Sequence, residues 1–397
     1  MIELLRRTAA VAPERPAVVD DGRVTTYEGL VASAEAFAGY LTANGVRRFG
    51  VLSYDAAEVV TILAGASLVG AEACVYPPMD DGETLAEYAA RFDHDLVVTS
   101  HPIDAPVARV ELGGCCTAER VTDDEPAEQR PHLVLTTGTT GDPRGVRHDW
   151  ARLLRHGGGV GAADERWLLA YGLHQFGGLQ VLLHVFAAGA TLVAPAPRRP
   201  REGLAAMRRH RVTHASATPT YWRFLLAEMR ADGGPVPSLR QVTLGGEAVP
   251  ADLLDRLTAT FPAAHIAQIY AASEFGSSGS VRDNQSGLPL SVLDRPDDAD
   301  IQMKIVDGEL WVRSRVGMLG YYKEEPGDAD GWRASGDLVE VVGDRVLFRG
   351  RRSDAINVGG VKVHPAVVEE KVTAVPGVAM ARVFGRKSPV AGSIVAV

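Results

Sequence analysis

Leu133-Val134-Leu135-Thr136-Thr137-Gly138-Thr139-Thr140-Gly141-Asp142-Pro143-Arg144-Gly145-Val146 opens as an apolar run and passes directly into a turn rich in hydroxyls and glycine. A short apolar run next to turn residues reads as a buried strand. In the turn, glycines permit a tight path on which consecutive backbone N–H groups point inward, an anion-binding nest. Four threonine hydroxyls add donors, and Arg144 adds a permanent charge. Together these would cradle a polyphosphate. The spacing is neither the GxxxxGK[ST] of a Walker A loop nor GxGxxG. The blander alternative is a hydroxyl-rich turn between strand and helix. Four hydroxyls, two spaced glycines and a basic residue after proline argue against it.

Outward from this stretch, strands and helices alternate. Thr25-Thr26-Tyr27-Glu28 offers a hydroxyl cap with an early carboxylate, Leu30, Ala34, Phe37 and Leu41 follow at helical spacing, and Gly45 supplies a stop. Strands are expected at 49–53 and 73–76, with a helix at 56–68 between them. Further strands fall at 133–135, 167–171 and 190–193, and helices at 179–186 and 203–210. Strands separated by helices of this length predict a mostly parallel sheet covered on both faces, an α/β class. After about residue 280 the texture changes. Short β-like runs at 301–306, 309–313, 338–342 and 345–348 are separated by Asp307-Gly308 and Gly343-Asp344, as in a small antiparallel barrel or sheet.

The bulk numbers exclude some classes. With 41 basic and 50 acidic side chains the net charge is −9, which gives no general attraction for nucleic acid. An anionic ligand must therefore be held by a local device. Cys74, Cys115 and Cys116 lack zinc-like or CxxC spacing and read as free thiols of a reducing cytoplasm. The start, Met1-Ile2-Glu3-Leu4-Leu5-Arg6-Arg7, has no apolar signal core, and no run reaches the ~18 apolar residues of a membrane span. A soluble, cytoplasmic protein without membrane contact is expected. His156-Gly157-Gly158-Gly159 matches an esterase oxyanion string, but no GxSxG elbow accompanies it.

Residues 136–145 resemble the phosphate loop T-S-G-T-T-G-x-P-K-G of the adenylate-forming superfamily: acyl-CoA synthetases, peptide-synthetase adenylation domains and luciferases. Thr137 stands for Ser and Arg144 for Lys; Arg keeps the charge but presents a planar fork. Companion segments follow in the family's order. Tyr270-Ala271-Ala272-Ser273-Glu274 resembles Y-G-x-T-E, which implies that Tyr270 stacks on adenine, Ser273 contacts the α-phosphate and Glu274 ligates magnesium. A hard cation wants carboxylate oxygen. Gly245-Gly246-Glu247 resembles the adenine-side loop, and Ser335-Gly336-Asp337 resembles T-G-D, whose Asp accepts both ribose hydroxyls. GRRSDAINVGG at 350–360 resembles the hinge segment G-R-x-D-D-x-I-K-x-x-G, with Ser353 at the hinge position, Asn357 for a frequent Lys, and Gly360 at the pantetheine tunnel.

The resemblance thus implies a catalytic set of Thr136, Arg144, Ser273 and Glu274, with Glu274 also the metal ligand. Nucleotide contacts would come from Thr137, Gly138, Thr139, Thr140, Gly141, Gly246, Glu247, Tyr270, Ala271, Asp337 and Arg351. Gly172-Leu173-His174-Gln175-Phe176-Gly177-Gly178 resembles the stretch that carries a pocket His in acyl- and aryl-CoA ligases, closest among these families. His174, Phe176, Gly177, Tyr221 and Ala272 are the expected acid pocket, with Trp222 as a further wall. No Asp stands near to hold an ammonium group, which favours an aryl or aliphatic acid without an α-amino group. A hydrogen-bonded core histidine is the alternative for His174.

The resemblance runs from Arg15-Pro16-Ala17-Val18-Val19 to the end of the chain. It implies a large domain at 1–349, two α/β subdomains plus a β-barrel from about 280, and a hinge with a partial α+β lid at 350–397. Two half-reactions would follow: the acid attacks the α-phosphorus of MgATP, then a thiol of coenzyme A or of a carrier protein's phosphopantetheine displaces AMP. The family's lid usually continues to a Lys that this stretch lacks, and slow adenylation is expected on that ground. A carrier-loading enzyme and a non-catalytic nucleotide sensor are the competing readings.

Overall fold

Several helices begin at side-chain caps that the sequence supplies. The Thr26 side chain accepts the Gly29 N–H at 3.1 Å and starts the helix Tyr27–Ala43, past whose end Gly45, at φ +63°, turns the chain away. Asp55 and Asp81 cap Ala56–Val69 and Gly82–Arg91 in the same manner. Each such cap contributes about 1 kcal/mol. The computed structural model describes residues 1–20, 22–116, 118–122, 131–137, 143–155, 164–324, 331–373, 375, 377–378, 381–388 and 392–397.

Two sheets form the body. The first has eight strands in the order Gly276–Val281, His265–Ala272, Gln241–Gly245, His214–Ala217, Arg166–Leu169, Thr191–Val193, Pro16–Asp20 and Arg23–Thr26. Its six inner strands are parallel, and each outermost strand is antiparallel to its neighbour. The second has seven, in the order Gly320–Tyr321, Pro143–Asp149, Pro131–Thr137, Glu72–Val75, Arg48–Leu52, Leu96–Thr99 and Ala108–Val110. Ile2–Ala9, Tyr27–Ala43, Ala56–Val69 and Phe176–Ala187 share one core with side chains from both sheets, among them Val18, Leu192, Val51 and Val75. Ala56–Val69 is buried along nearly its whole length, which is why its sequence is apolar on every side.

Pro200–Arg209, Pro219–Asp232 and Ala251–Thr260 pack on the other face of the eight-stranded sheet. From residue 288 the chain forms an antiparallel five-stranded sheet, Leu288–Pro289, Arg345–Arg351, Trp332–Val342, Glu309–Ser314 and Ile301–Val306, around its own core of Leu310, Val312 and Val346. The strand expected at 338–342 is the second half of Trp332–Val342, so Ser335-Gly336-Asp337 sits within a strand and not in a connecting turn. Beyond it, Ile356–Val358 pairs with Val361–Val363, Pro365–Thr373 is helical, and Phe384–Ser388 pairs with Gly392–Ala396. The Val383 N–H donates to the Glu369 carboxylate at 2.8 Å, tying helix to hairpin. Among the described residues no helix is long and apolar enough to cross a membrane.

Among the described residues, three histidines are buried. His94 and His132 are 3% exposed and His148 is 0% exposed. Burial above all pushes them down to about 4, about 3 and about 4, against 6.5 for a free imidazole. Unfolded, they would take up protons as pH falls below about 6.5, while the folded chain resists until far lower. Stability from these groups is therefore complete above about pH 6.5 and falls as pH drops toward 4. Melting temperatures recorded at about pH 7.5, 6 and 5 should decline at each step; a flat series would contradict the burial of these neutral rings.

Candidate active site

Thr136 and Arg144 face each other across the strands Pro131–Thr137 and Pro143–Asp149. Gly138, Thr139, Thr140 and Gly141, which connect these strands, and the Thr137 side chain lie outside the described residues. The Arg144 guanidinium lies over the ring of Tyr321, its carbon 3.4 Å from the ring centre, and its fork donates to Glu324 at 3.2 and 2.5 Å. At the far end of the same ring the Tyr321 hydroxyl donates to Glu274 Oε1 at 3.1 Å.

Glu274 stands in the turn between His265–Ala272 and Gly276–Val281. Three features hold the turn. Gly276 takes φ +80°, open to glycine at no steric cost. The Ser314 hydroxyl donates to the Phe275 carbonyl at 2.7 Å, and the Met318 N–H donates to the Glu274 carbonyl at 3.0 Å. Gly317 allows that approach, since a Cβ there would lie 2.6 Å from the Glu274 carbonyl oxygen.

Farther back on the strand that leads into this turn, the Tyr270 hydroxyl donates to Asp337 Oδ2 at 2.7 Å. Its ring packs at a tilt against Phe275 and Phe348, with centroids 5.1 and 4.9 Å apart. Asp337 is the cross-strand partner of Arg351, whose Nε comes within 3.2 Å of Oδ1. Burial raises the Asp337 carboxyl above its ordinary value, opposed by the Tyr270 hydrogen bond and the Arg351 charge. Burial also drives the Tyr270 hydroxyl well above its usual range, so it remains a donor.

On the neighbouring strand's end, Gly246 adopts φ +86°. The Glu247 carboxylate then accepts the Thr220 N–H at 3.1 Å and hydroxyl at 2.7 Å, at the start of the helix Pro219–Asp232. The Gly245 carbonyl accepts from the Tyr171 hydroxyl at 3.2 Å. Ala271 and Ala272 lie on the strand beside the turn, opposite Ser277 and Gly276.

Phe176 stacks on His148, with centroids 5.4 Å apart and planes 21° apart. His148 faces the Ser273 backbone without a well-aligned hydrogen bond to it. Gly177 permits close contact with the Tyr171 ring, 3.1 Å from where its Cβ would stand. His174 folds over Gly172, and burial followed by the charge of Arg198 pushes it down to about 4, leaving a neutral imidazole.

Tyr221 is not brought to this group. Its ring packs with Leu168 and Trp222 in the core under Pro200–Arg209, and its hydroxyl abuts Gly203 and donates to the Arg199 carbonyl at 3.4 Å. Trp222 is fully buried there and donates to the Thr243 carbonyl at 3.0 Å. Side chains alternate along a strand. Leu168 therefore joins that core, while Trp167 and Leu169 join the core of Phe176 on the opposite face. Ser353 is exposed and donates to the Asp354 carboxylate at 2.9 Å. Gly359 and Gly360, at φ +57° and +94°, make the hairpin turn of Ile356–Val358 and Val361–Val363, as a two-residue turn of that hand requires. The Gly360 N–H donates to Asn357 Oδ1 at 2.9 Å.

Sequence reasoning missed Tyr321, Glu324 and His148. Tyr321 and Glu324 lie more than 170 residues from Arg144 in a stretch without periodicity, and no local pattern marks them. His148 had a weak signal, since it alternates with Val146 on a strand whose inner face is apolar.

Two contact chains, Arg144–Tyr321–Glu274 and Tyr270–Asp337–Arg351, hang on one strand end. They bring together a cation on the seven-stranded sheet, a half-buried carboxylate in a turn of the eight-stranded sheet and, on the five-stranded sheet, a second carboxylate flanked by donors. A single carboxylate suits magnesium, which keeps waters and takes its remaining ligands from phosphates.

A propanoyl:CoA ligase of Mycobacterium tuberculosis, whose acyl group carries a methyl-dioxo-octahydroindenyl ring system, is 29% identical over 64% of this chain and 53% of its own length. This chain thus spans about half of that relative. A 2-succinylbenzoate–CoA ligase of Bacillus velezensis is 26% identical over 98% of this chain and 86% of its own length. The o-succinylbenzoate coenzyme A synthetase of Bacillus subtilis, solved with ATP and magnesium, superposes with a TM-score of 0.78 at 24% identity, covering 99% of this chain and 88% of that one. The family model described as AMP-binding enzyme matches residues 5–322, and the chain belongs to that family.

Proposed function

We propose that the protein activates a carboxylic acid as its acyl-AMP at the expense of MgATP and passes the acyl group to the thiol of coenzyme A. The observation that supports this best is the pair of contact chains that joins Arg144, Glu274 and Asp337 across three separate sequence segments. Asp337 would accept the ribose hydroxyls, with Arg351 and Tyr270 each engaging one of its oxygens. Thr136, Arg144 and the loop between them would receive the phosphates, and Ser273 the α-phosphate. Glu274 would hold magnesium, which when bound offsets phosphate charge. The acid carboxylate attacks the α-phosphorus; the bond to the bridging oxygen breaks, and pyrophosphate leaves with the electron pair. The thiolate then attacks the acyl carbon and AMP departs.

The acid would lie near His174, Phe176, Gly177 and Ala272, with the neutral, buried His148 ring behind Phe176. Neutral imidazoles and an aromatic face suit an aryl or aliphatic acid without an α-amino group. Residues 1–349 would form the nucleotide-binding body and 350–397 part of a lid that turns at Ser353, admitting the thiol past Gly360. Three free cysteines and an ATP requirement suit the cytoplasm.

A panel of carboxylic acids with MgATP and hydroxylamine tests the reading. Hydroxamate should form with at least one acid lacking an α-amino group, with release of pyrophosphate, and thioester should form when coenzyme A replaces hydroxylamine. Thioester only on a carrier's phosphopantetheine would change the acceptor. MgATP binding without hydroxamate from any acid would favour the sensor and contradict the enzyme.

A further inference from the structure

Arg144, on the seven-stranded sheet, and Glu274, in a turn of the eight-stranded sheet, are opposite charges, and a direct ion pair between them would remove both from service. Tyr321 stands between them. Its ring face carries the guanidinium at 3.4 Å, and its hydroxyl, at the other end of the ring, donates to Glu274 at 3.1 Å. Its backbone is tied on both sides as well. Tyr321 is the register partner of Val146, the Leu319 N–H donates to the Arg147 carbonyl at 2.8 Å, and the Tyr322 N–H donates to the Gly145 carbonyl at 2.7 Å. Three residues earlier the Met318 N–H donates to the Glu274 carbonyl at 3.0 Å. One short segment is therefore fastened both to the strand that bears Arg144 and to the turn that bears Glu274.

We infer that Tyr321 is a positioning residue, which spaces the phosphate-loop cation Arg144 from the magnesium-binding carboxylate Glu274 and orients both toward the nucleotide. This rests on the function proposed above. A cation over an aromatic face keeps its charge available to a phosphate, because the attraction comes from the ring quadrupole and not from an opposing ion. The Arg144 fork meanwhile rests on Glu324, whose side chain is 49% exposed. Exposed pairs of this kind are weak, so phosphates can take the fork over.

Calorimetry of ATP binding, with magnesium and with a chelator, on the full chain and on Tyr321→Phe and Tyr321→Leu tests this. Tyr321→Phe keeps the ring and loses the hydroxyl. It should bind metal-free ATP like the parent, while the affinity gained on adding magnesium shrinks about fivefold. Tyr321→Leu removes the spacer, lets the two charges pair, and should weaken ATP binding about 10-fold with or without metal. In pyrophosphate exchange, Tyr321→Phe should raise the magnesium concentration for half activity and leave the rate at saturating magnesium nearly unchanged. A purely structural tyrosine would lower the melting temperature without moving magnesium dependence. Parental ATP affinity and magnesium dependence in both variants would overturn the inference alone. Failure of the unaltered chain to bind MgATP would overturn the proposed function, and the inference with it.

Discussion

Glu274→Gln should lower acid-dependent ATP–pyrophosphate exchange by about 10²–10³-fold, the usual cost of removing one stabiliser of developing charge. Gln is isosteric and still offers a carbonyl oxygen to the Tyr321 hydroxyl now bonded to Glu274. The turn is held by the Met318 N–H and the Ser314 hydroxyl, which donate to its carbonyls, and by the buried Phe275, none of which uses the carboxylate. Folding should therefore survive, and melting temperature should stay near the parent's. The loss should fall on the rate and on magnesium dependence more than on affinity for metal-free ATP. Exchange within a few-fold of the parent would remove Glu274 from the metal's ligand set.

Asp337→Asn should weaken ATP binding by roughly 10–100-fold, since hydrogen bonds to a charged acceptor contribute about 1.5–3 kcal/mol. Stability should move differently. The folded Asp337 carboxyl is raised above its unfolded value of 3.8, so its favourable contribution is present below that pH and lost as pH rises through the folded value. At pH 7 the buried charge is a net cost to folding. The Arg351 side chain opposite it is 58% exposed, and its attraction recovers little. Asn carries no charge, so the variant should melt no lower than the parent at pH 7 while binding ATP less tightly. A clear fall in melting temperature would mean that the Arg351 pair outweighs burial.

The contrast between these residues and Tyr321 marks what a sequence reveals here. Strands and helices were legible because buried segments must be apolar: residues 301–306 were expected as a strand and form Ile301–Val306. The helix expected at 56–68 is Ala56–Val69, opened by a carboxylate cap and closed by Gly70 at φ +67°. Site segments were legible where backbone geometry restricts residue type, as at Gly246 with its positive φ. Tyr221 was misplaced because apolarity reveals burial and not which face of a sheet receives it; the answer depended on the register that puts Leu168 outward. Tyr321 was invisible for another reason. A side chain that touches Arg144 and Glu274 only after folding carries no local spacing, and the pairing of Gly320–Tyr321 with the strand Pro143–Asp149 is a fact of topology.

A crystal structure of this chain with MgATP would put the nucleotide assignment to the most direct test. The ribose should rest on Asp337, the phosphates beneath residues 136–144, and the metal on Glu274. A nucleotide bound elsewhere, or one that leaves Asp337 and Glu274 both untouched, would contradict it.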